Sequence, residues 1–153
     1  LIQKQFSRIM SLKDGMRKMS KSDPSDLSRI NLTDERDKIF NKIKKAKTDP
    51  LPMPSNIEDL AERPEAENLL GIYSSLRNQK LEDSINEYHG KQFSEFKEKL
   101  SEILIEQIEP ISKEIKKLLN DEKYLDEILL KGSEKADKIA SKKIKKIKEL
   151  VGF

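Results

Sequence analysis

Lys18-Met19-Ser20-Lys21-Ser22 places two ammonium groups and two hydroxyls within five residues. Ammonium groups grip phosphate as point charges, and donors set where charge develops stabilise a transition state. Such a loop suits a phosphate chain that gains charge as one of its bonds breaks. Other chemistry is scarce. There is no Cys, hence no disulfide and no thiolate metal ligand, and the single His89, beside Gly90, leaves no zinc-type cluster. His89 reads as a residue at a helix end, and no protein-held metal is expected.

The elements around the loop follow from the pattern of apolar residues. Ser7 to Leu12 is short and alternates around Ile9 and Met10, which predicts a strand feeding a loop. Lys13 to Pro24 gathers Gly, Pro, Ser and Asp without apolar periodicity and is expected to be exposed and mobile. Thr33 is a candidate N-cap for a helix whose first turn carries Asp34, Glu35 and Asp37 and whose buried stripe is Ile39, Phe40, Ile43 and Ala46. Pro50, Pro52, Pro54 and Pro64 mark a connector with one short turn near Ile57 to Leu60.

Beyond the connector the period is helical. Leu69, Leu70, Tyr73 and Leu76 share one face, followed by Leu81, Ile85 and Tyr88. Phe93, Phe96, Leu100, Ile103 and Leu104 predict a longer helix that Pro110 interrupts or kinks. The helical spacing of Phe93 and Phe96, like the setting of Tyr73, Tyr88 and Tyr124, favours core over base stacking. Asn120-Asp121 offers a stop and a new cap, Gly132-Ser133 a break before a last helix, and Gly152 its end. No fixed-period repeat occurs, so a bundle is expected rather than a solenoid.

Charge is segmented along the 153 residues. Residues 1–47 hold 13 Lys/Arg against 6 Asp/Glu, residues 48–90 hold 3 against 9, and residues 131–153 hold 8 against 3. Both basic ends could meet phosphates. No apolar run approaches the roughly 20 residues that span a bilayer, and no signal-peptide pattern opens the chain, so a soluble cytoplasmic protein without membrane contact is expected. Leu1 to Phe6 carries neither cap nor turn signal and reads as the middle of a domain.

Arg8-Ile9-Met10-Ser11-Leu12 followed by Lys18-Met19-Ser20-Lys21-Ser22-Asp23 resembles the corresponding segments of the bacterial-type tryptophanyl-tRNA synthetases, class I aminoacyl-tRNA synthetases. The similarity continues through Lys42 to Asp49, Arg63-Pro64, Asn68 to Tyr73, Tyr124 to Leu129 and Gly132 to Ala136. The related tyrosyl enzymes usually carry Phe-Gly where Met19-Ser20 stands, which favours tryptophan. Glu65-Ala66-Glu67 departs from the Gly and small residues more usual in the family.

The resemblance implies a mainly α fold, with a helical bundle preceded by the last strand and signature loop of a Rossmann-type catalytic domain. The implied division is 1–49 for the end of the catalytic domain, 50–64 for the connector, 65–131 for an anticodon-binding domain and 132–153 for a carboxy-terminal helix. It further implies activation of L-tryptophan by ATP, with Mg2+ bound through ATP, and transfer to tRNA(Trp). Lys21 and Lys18 would be catalytic at the pyrophosphate, while Ile9, Met19, Ser20 and Ser22 would complete the ATP contacts. Lys142, Lys143, Lys145 and Lys146 are candidates for tRNA phosphates, as are Lys42, Lys44, Lys45 and Lys47; a solvated outer face is the simpler reading of both sets.

The family's His-Ile-Gly-His-like element and tryptophan pocket do not occur in these residues, nor does the main interface of its usual homodimer. The chain by itself is therefore expected to be inactive. The alternative is a non-catalytic helical tRNA-binding module with a vestigial loop; a helical interaction bundle with a chance loop match ranks behind it. Lys21→Ala discriminates, since an enzyme must lose adenylate formation with little change in tRNA affinity.

Overall fold

Leu, Ile and aromatic residues recur at three- and four-residue spacing along much of the chain, and the structure, a computed structural model that describes residues 8–152, is mainly helical. Two short strands, β1 (Met10–Ser11) and β2 (Asp14–Lys18), pair antiparallel at the amino-terminal side. Helices follow at Arg36–Lys44 (α1), Pro64–Arg77 (α2), Leu81–Tyr88 (α3), Phe93–Leu119 (α4) and Glu122–Val151 (α5). The chain divides into two compact units, one up to Ser112 and one from Lys113 onward. No described helix is long and apolar enough to cross a membrane.

In the first unit the core is built where α2, α3 and α4 contribute their apolar faces. Pro64 opens α2, where its missing N–H costs nothing, and Asn78, left-handed at φ 52°, closes it. Leu81, Ser84, Ile85 and Tyr88 give α3 one buried face. Tyr73, Tyr88 and Phe96 meet edge-on or tilted, with ring centroids 4.9 to 5.6 Å apart. The Tyr88 hydroxyl donates to the Tyr73 hydroxyl at 3.2 Å, and Tyr73 donates to Glu87 at 2.9 Å, so the phenols are satisfied within the core. Phe93 and Phe96 are buried, as their spacing predicts.

Several sequence expectations need correction. The strand is confined to Met10–Ser11; Ser7 and the run Leu1 to Phe6 lie outside the described residues. Asp14–Lys18 is a strand and not loop, so the exposed turn is shorter than its composition suggests. Helix α1 is preceded by Glu35, with no side-chain cap, in place of Thr33. Phe40 is exposed, and Lys42 takes its place on the buried stripe beside Ile39, Ile43 and Ala46. That spacing of three, four and seven residues is the helical period itself, so backbone geometry overrode side-chain polarity.

Helix α4 runs through Pro110 without interruption, losing one backbone donor. The short turn expected near Ile57 to Leu60 is present as a 3-10 turn, Glu58–Leu60.

In the second unit Asp121 caps α5 by accepting from the Tyr124 amide at 3.1 Å, and Gly152, at φ 84°, ends it. Gly132 and Ser133 pass within α5 with no break. None of its residues is buried, Tyr124 included, which corrects the expectation that this tyrosine is core.

Candidate phosphate-binding loop

The loop emerges from the β1–β2 ribbon, which helix α2 holds in place. Asn68, mostly buried on α2, accepts from the Met10 amide at 2.9 Å and donates to the Met10 carbonyl at 3.0 Å. It thereby pairs both backbone groups of Met10 as a neighbouring strand would. Gly15 sits so near the start of α2 that a Cβ there would lie 2.5 Å from the Pro64 carbonyl carbon and 2.6 Å from the Glu65 nitrogen. Only glycine permits that approach. Glu65 also pairs with Lys47 at 2.7 Å; that bond holds its carboxyl below the ordinary value and raises Lys47.

On its entry side the loop is fixed by the Met19 amide, which donates to the Ile9 carbonyl at 3.0 Å, and by the Met19 side chain, packed on the core. On its exit side the Ser25 amide donates to Asp23 Oδ1 at 2.8 Å, and Arg29 donates to the carbonyls of Asp23 and Ser25 at 3.0 and 3.3 Å. Between the stems the Ser20 and Ser22 hydroxyls lie 2.9 Å apart, and the Ser22 amide donates to Ser20 Oγ at 3.3 Å. Lys18, Ser20, Lys21 and Ser22 are exposed. No ion pair engages the Lys18 or Lys21 ammonium group among the described residues. Two cations and two hydroxyls thus stand in solvent on a short arc whose ends are tied, an arrangement whose ammonium groups accept a phosphate chain without first breaking an ion pair.

Ile9, expected against the nucleotide, is 45% exposed beside the entry stem. The basic segment Lys42 to Lys47, which runs past the end of α1, keeps Lys44 and Lys45 exposed but is otherwise less available than its composition suggests. Lys42 is 1% exposed and pairs with Asp34 and Asp26, and Lys47 is engaged by Glu65, so neither offers a ready cation to RNA. Lys142, Lys143, Lys145 and Lys146 are exposed on α5, in the second unit.

The positioning roles of Asn68, Arg29 and Asp26 escaped the sequence reading, and Lys42, taken there as a candidate for tRNA phosphates, is instead a buried ion-pair residue. For Lys42 a signal existed: a lysine on the apolar face of a helix requires a partner, and Asp34 lies just upstream. Burial alone would raise the Asp34 carboxyl, but hydrogen bonds from Lys42, the Asn31 amide and Lys38 hold it below the ordinary value. For Asn68 no local signal exists, because its partner lies 58 residues away.

Residues 2–109 match the family model of class I tRNA synthetases for tryptophan and tyrosine (W and Y). The chain belongs to this family. Tryptophan–tRNA ligases of Agrobacterium fabrum (strain C58 / ATCC 33970), Caulobacter vibrioides (strain ATCC 19089 / CIP 103742 / CB 15) and Rickettsia felis (strain ATCC VR-1525 / URRWXCal2) are 51%, 50% and 52% identical to it. The matches cover 95%, 100% and 100% of this chain but 41%, 44% and 46% of those proteins. The chain therefore spans less than half the length of these relatives. A crystal structure of tryptophanyl-tRNA synthetase from Mycoplasma pneumoniae superposes with a TM-score of 0.72 at 22% identity, over 99% of this chain and 45% of that one. This likeness shows a shared fold, mainly helical beyond the short strands.

Proposed function

We propose that this chain is the carboxy-terminal part of a tryptophan–tRNA ligase and supplies its phosphate clamp. The whole enzyme would activate L-tryptophan with ATP, releasing pyrophosphate, and pass the tryptophanyl group to tRNA(Trp). ATP enters as substrate with Mg2+ on its phosphates. Lys21 faces the charge that develops on the departing pyrophosphate, and Lys18 closes over the same phosphates. Met19 meets the adenine through its backbone, Ile9 packs on the nucleotide, and Ser20 and Ser22 complete the contacts. The boundary between the catalytic and anticodon-binding domains falls in the Pro-rich segment 50–64.

The observation that carries the proposal is the pairing of exposed Lys18 and Lys21 with anchored stems at Met19 and Asp23. Within the W and Y family, the tryptophan–tRNA ligase names of the relatives support tryptophan over tyrosine. A homodimer and a cytoplasmic location complete the proposal. Lys142, Lys143, Lys145 and Lys146 would meet tRNA phosphates. The test is amino-acid-dependent ATP–pyrophosphate exchange by the full-length enzyme. Exchange with tryptophan and none with tyrosine is expected; exchange driven by tyrosine overturns the substrate assignment.

A further inference from the structure

The exit stem of the loop is tied to helix α1 through a chain of polar contacts that the clamp chemistry itself does not require. Arg29 leaves the 3-10 turn Asp26–Ser28 and turns one guanidinium nitrogen to two carbonyls, those of Asp23 and Ser25. Its Nε donates to Asn31 Oδ1 at 3.2 Å, and its other terminal nitrogen pairs with Asp26 at 3.4 Å. Asp26 is gripped in turn by Lys38 at 2.9 Å and Lys42 at 3.0 Å, both on α1. Lys42 and its second partner, Asp34, are buried, so this end of the chain of contacts is fixed in the core. A buried cation with two carboxylate partners cannot swing away without leaving charge unpaired.

We propose that Arg29 is a positioning residue for the phosphate clamp: by holding the Asp23 and Ser25 carbonyls against the Asp26–Lys42 pair, it fixes the stem that presents Lys21 and Ser22. The proposal rests on the clamp function of Lys21. Arg29 itself touches no phosphate. It confines the arc from Ser20 to Ser22, so that binding ATP orders few further residues and Lys21 arrives within reach of the leaving group. A guanidinium suits this because its rigid fork spans several acceptors at once, where an ammonium on a flexible stem would satisfy them one at a time.

The test compares Arg29→Ala and Arg29→Lys with wild type in the full-length enzyme. Misplacing a reacting group by about 1 Å costs up to about 100-fold, so Arg29→Ala is expected to lower kcat for ATP–pyrophosphate exchange by about 10- to 100-fold. The KM for tryptophan should stay unchanged. Arg29→Lys, which keeps the cation beside Asp26, should lose less. Amide hydrogen exchange should accelerate over residues 20–25 while α2 and α4 keep their protection. Wild-type kcat in both variants overturns the proposal, and so does a loss matched by deprotection of α2 and α4 in both, which marks a merely structural residue. Lys21→Ala, run alongside, separates the two levels. If it exchanges at the wild-type rate the clamp reading itself fails, whereas a slow Lys21→Ala with a normal Arg29→Ala removes the positioning role alone.

Discussion

Gly15 and Asn68 hold the loop's ribbon by different means, and each makes a prediction. A methyl group at Gly15 would fall within 2.7 Å of three backbone atoms of Pro64 and Glu65, none of which can swing aside as a side chain could. Gly15→Ala is therefore expected to destabilise the chain by about 1–3 kcal/mol, the usual cost of overpacking. Chemical denaturation measures it, and an unchanged midpoint would mean that the ribbon does not press on α2. Asn68→Ala removes both partners of Met10, leaving a partly buried amide and carbonyl to find water. A loss of about 1–3 kcal/mol is expected. Asn68→Asp, which accepts from the Met10 amide but repels its carbonyl, should be no better than alanine; full stability of the aspartate variant would contradict the strand-like pairing. At this scale the sequence was most informative about chemistry. Lys18 to Ser22 stood out by residue type alone, while the residues that hold the loop did not, because an Asn or a Gly becomes meaningful only through a neighbour more than 45 residues away.

Among the elements, α1 buries Lys42 where its sequence pattern puts Phe40, and it carries the clearest pH dependence. Asp26 and Asp34 are both held below the ordinary carboxylate value, Asp26 by hydrogen bonds from Lys38 and then Lys42, Asp34 by its hydrogen bonds against the opposing effect of burial. Carboxyls depressed in the folded state contribute stability that is fully present above their unfolded pKa of about 3.9. That stability is lost as pH falls through the folded value, because the unfolded chain binds protons first. The melting temperature should therefore drop as pH is lowered below about 4 and hold steady from about 5 upward. Asp34→Asn should flatten this acid limb while lowering stability at neutral pH; an acid limb identical to wild type would show that the cluster is not its source.

The helices α2, α3 and α4 were legible from periodicity, and the cap of α5 from Asp121, whereas Pro64, read as part of the connector, opens α2 and Asn78 closes it without having been read as a cap. Pro110 does not interrupt α4, and the break expected at Gly132 does not occur. A proline removes one hydrogen bond from a helix 27 residues long, and one glycine leaves a 30-residue helix intact, so the neighbouring turns carry both positions. β2 was missed for the complementary reason: its partner β1 has two residues, too few to leave an alternating pattern, and α2 supplies what holds the ribbon.

At the scale of the whole molecule, the first unit holds the core and the loop, whereas α5 in the second unit exposes lysines and apolar residues alike. If Lys142, Lys143, Lys145 and Lys146 meet tRNA phosphates, replacing all four by Ser in the full-length enzyme should weaken tRNA binding. It should also reduce the slope of log affinity against log salt by about 3 units, at roughly 0.7 to 0.9 per phosphate contact. An unchanged slope would return these lysines to a solvated surface without touching the clamp. The 153 residues alone, which span less than half of their relatives, are expected to show no ATP–pyrophosphate exchange.

The central claim is that Lys21 stabilises the pyrophosphate as it departs, and single-turnover formation of tryptophanyl-adenylate by the full-length Lys21→Ala enzyme tests it most directly. Loss of one well-placed charge donor predicts a rate about 10²- to 10³-fold lower, with tRNA affinity close to wild type. Adenylate formation at the wild-type rate would contradict the claim.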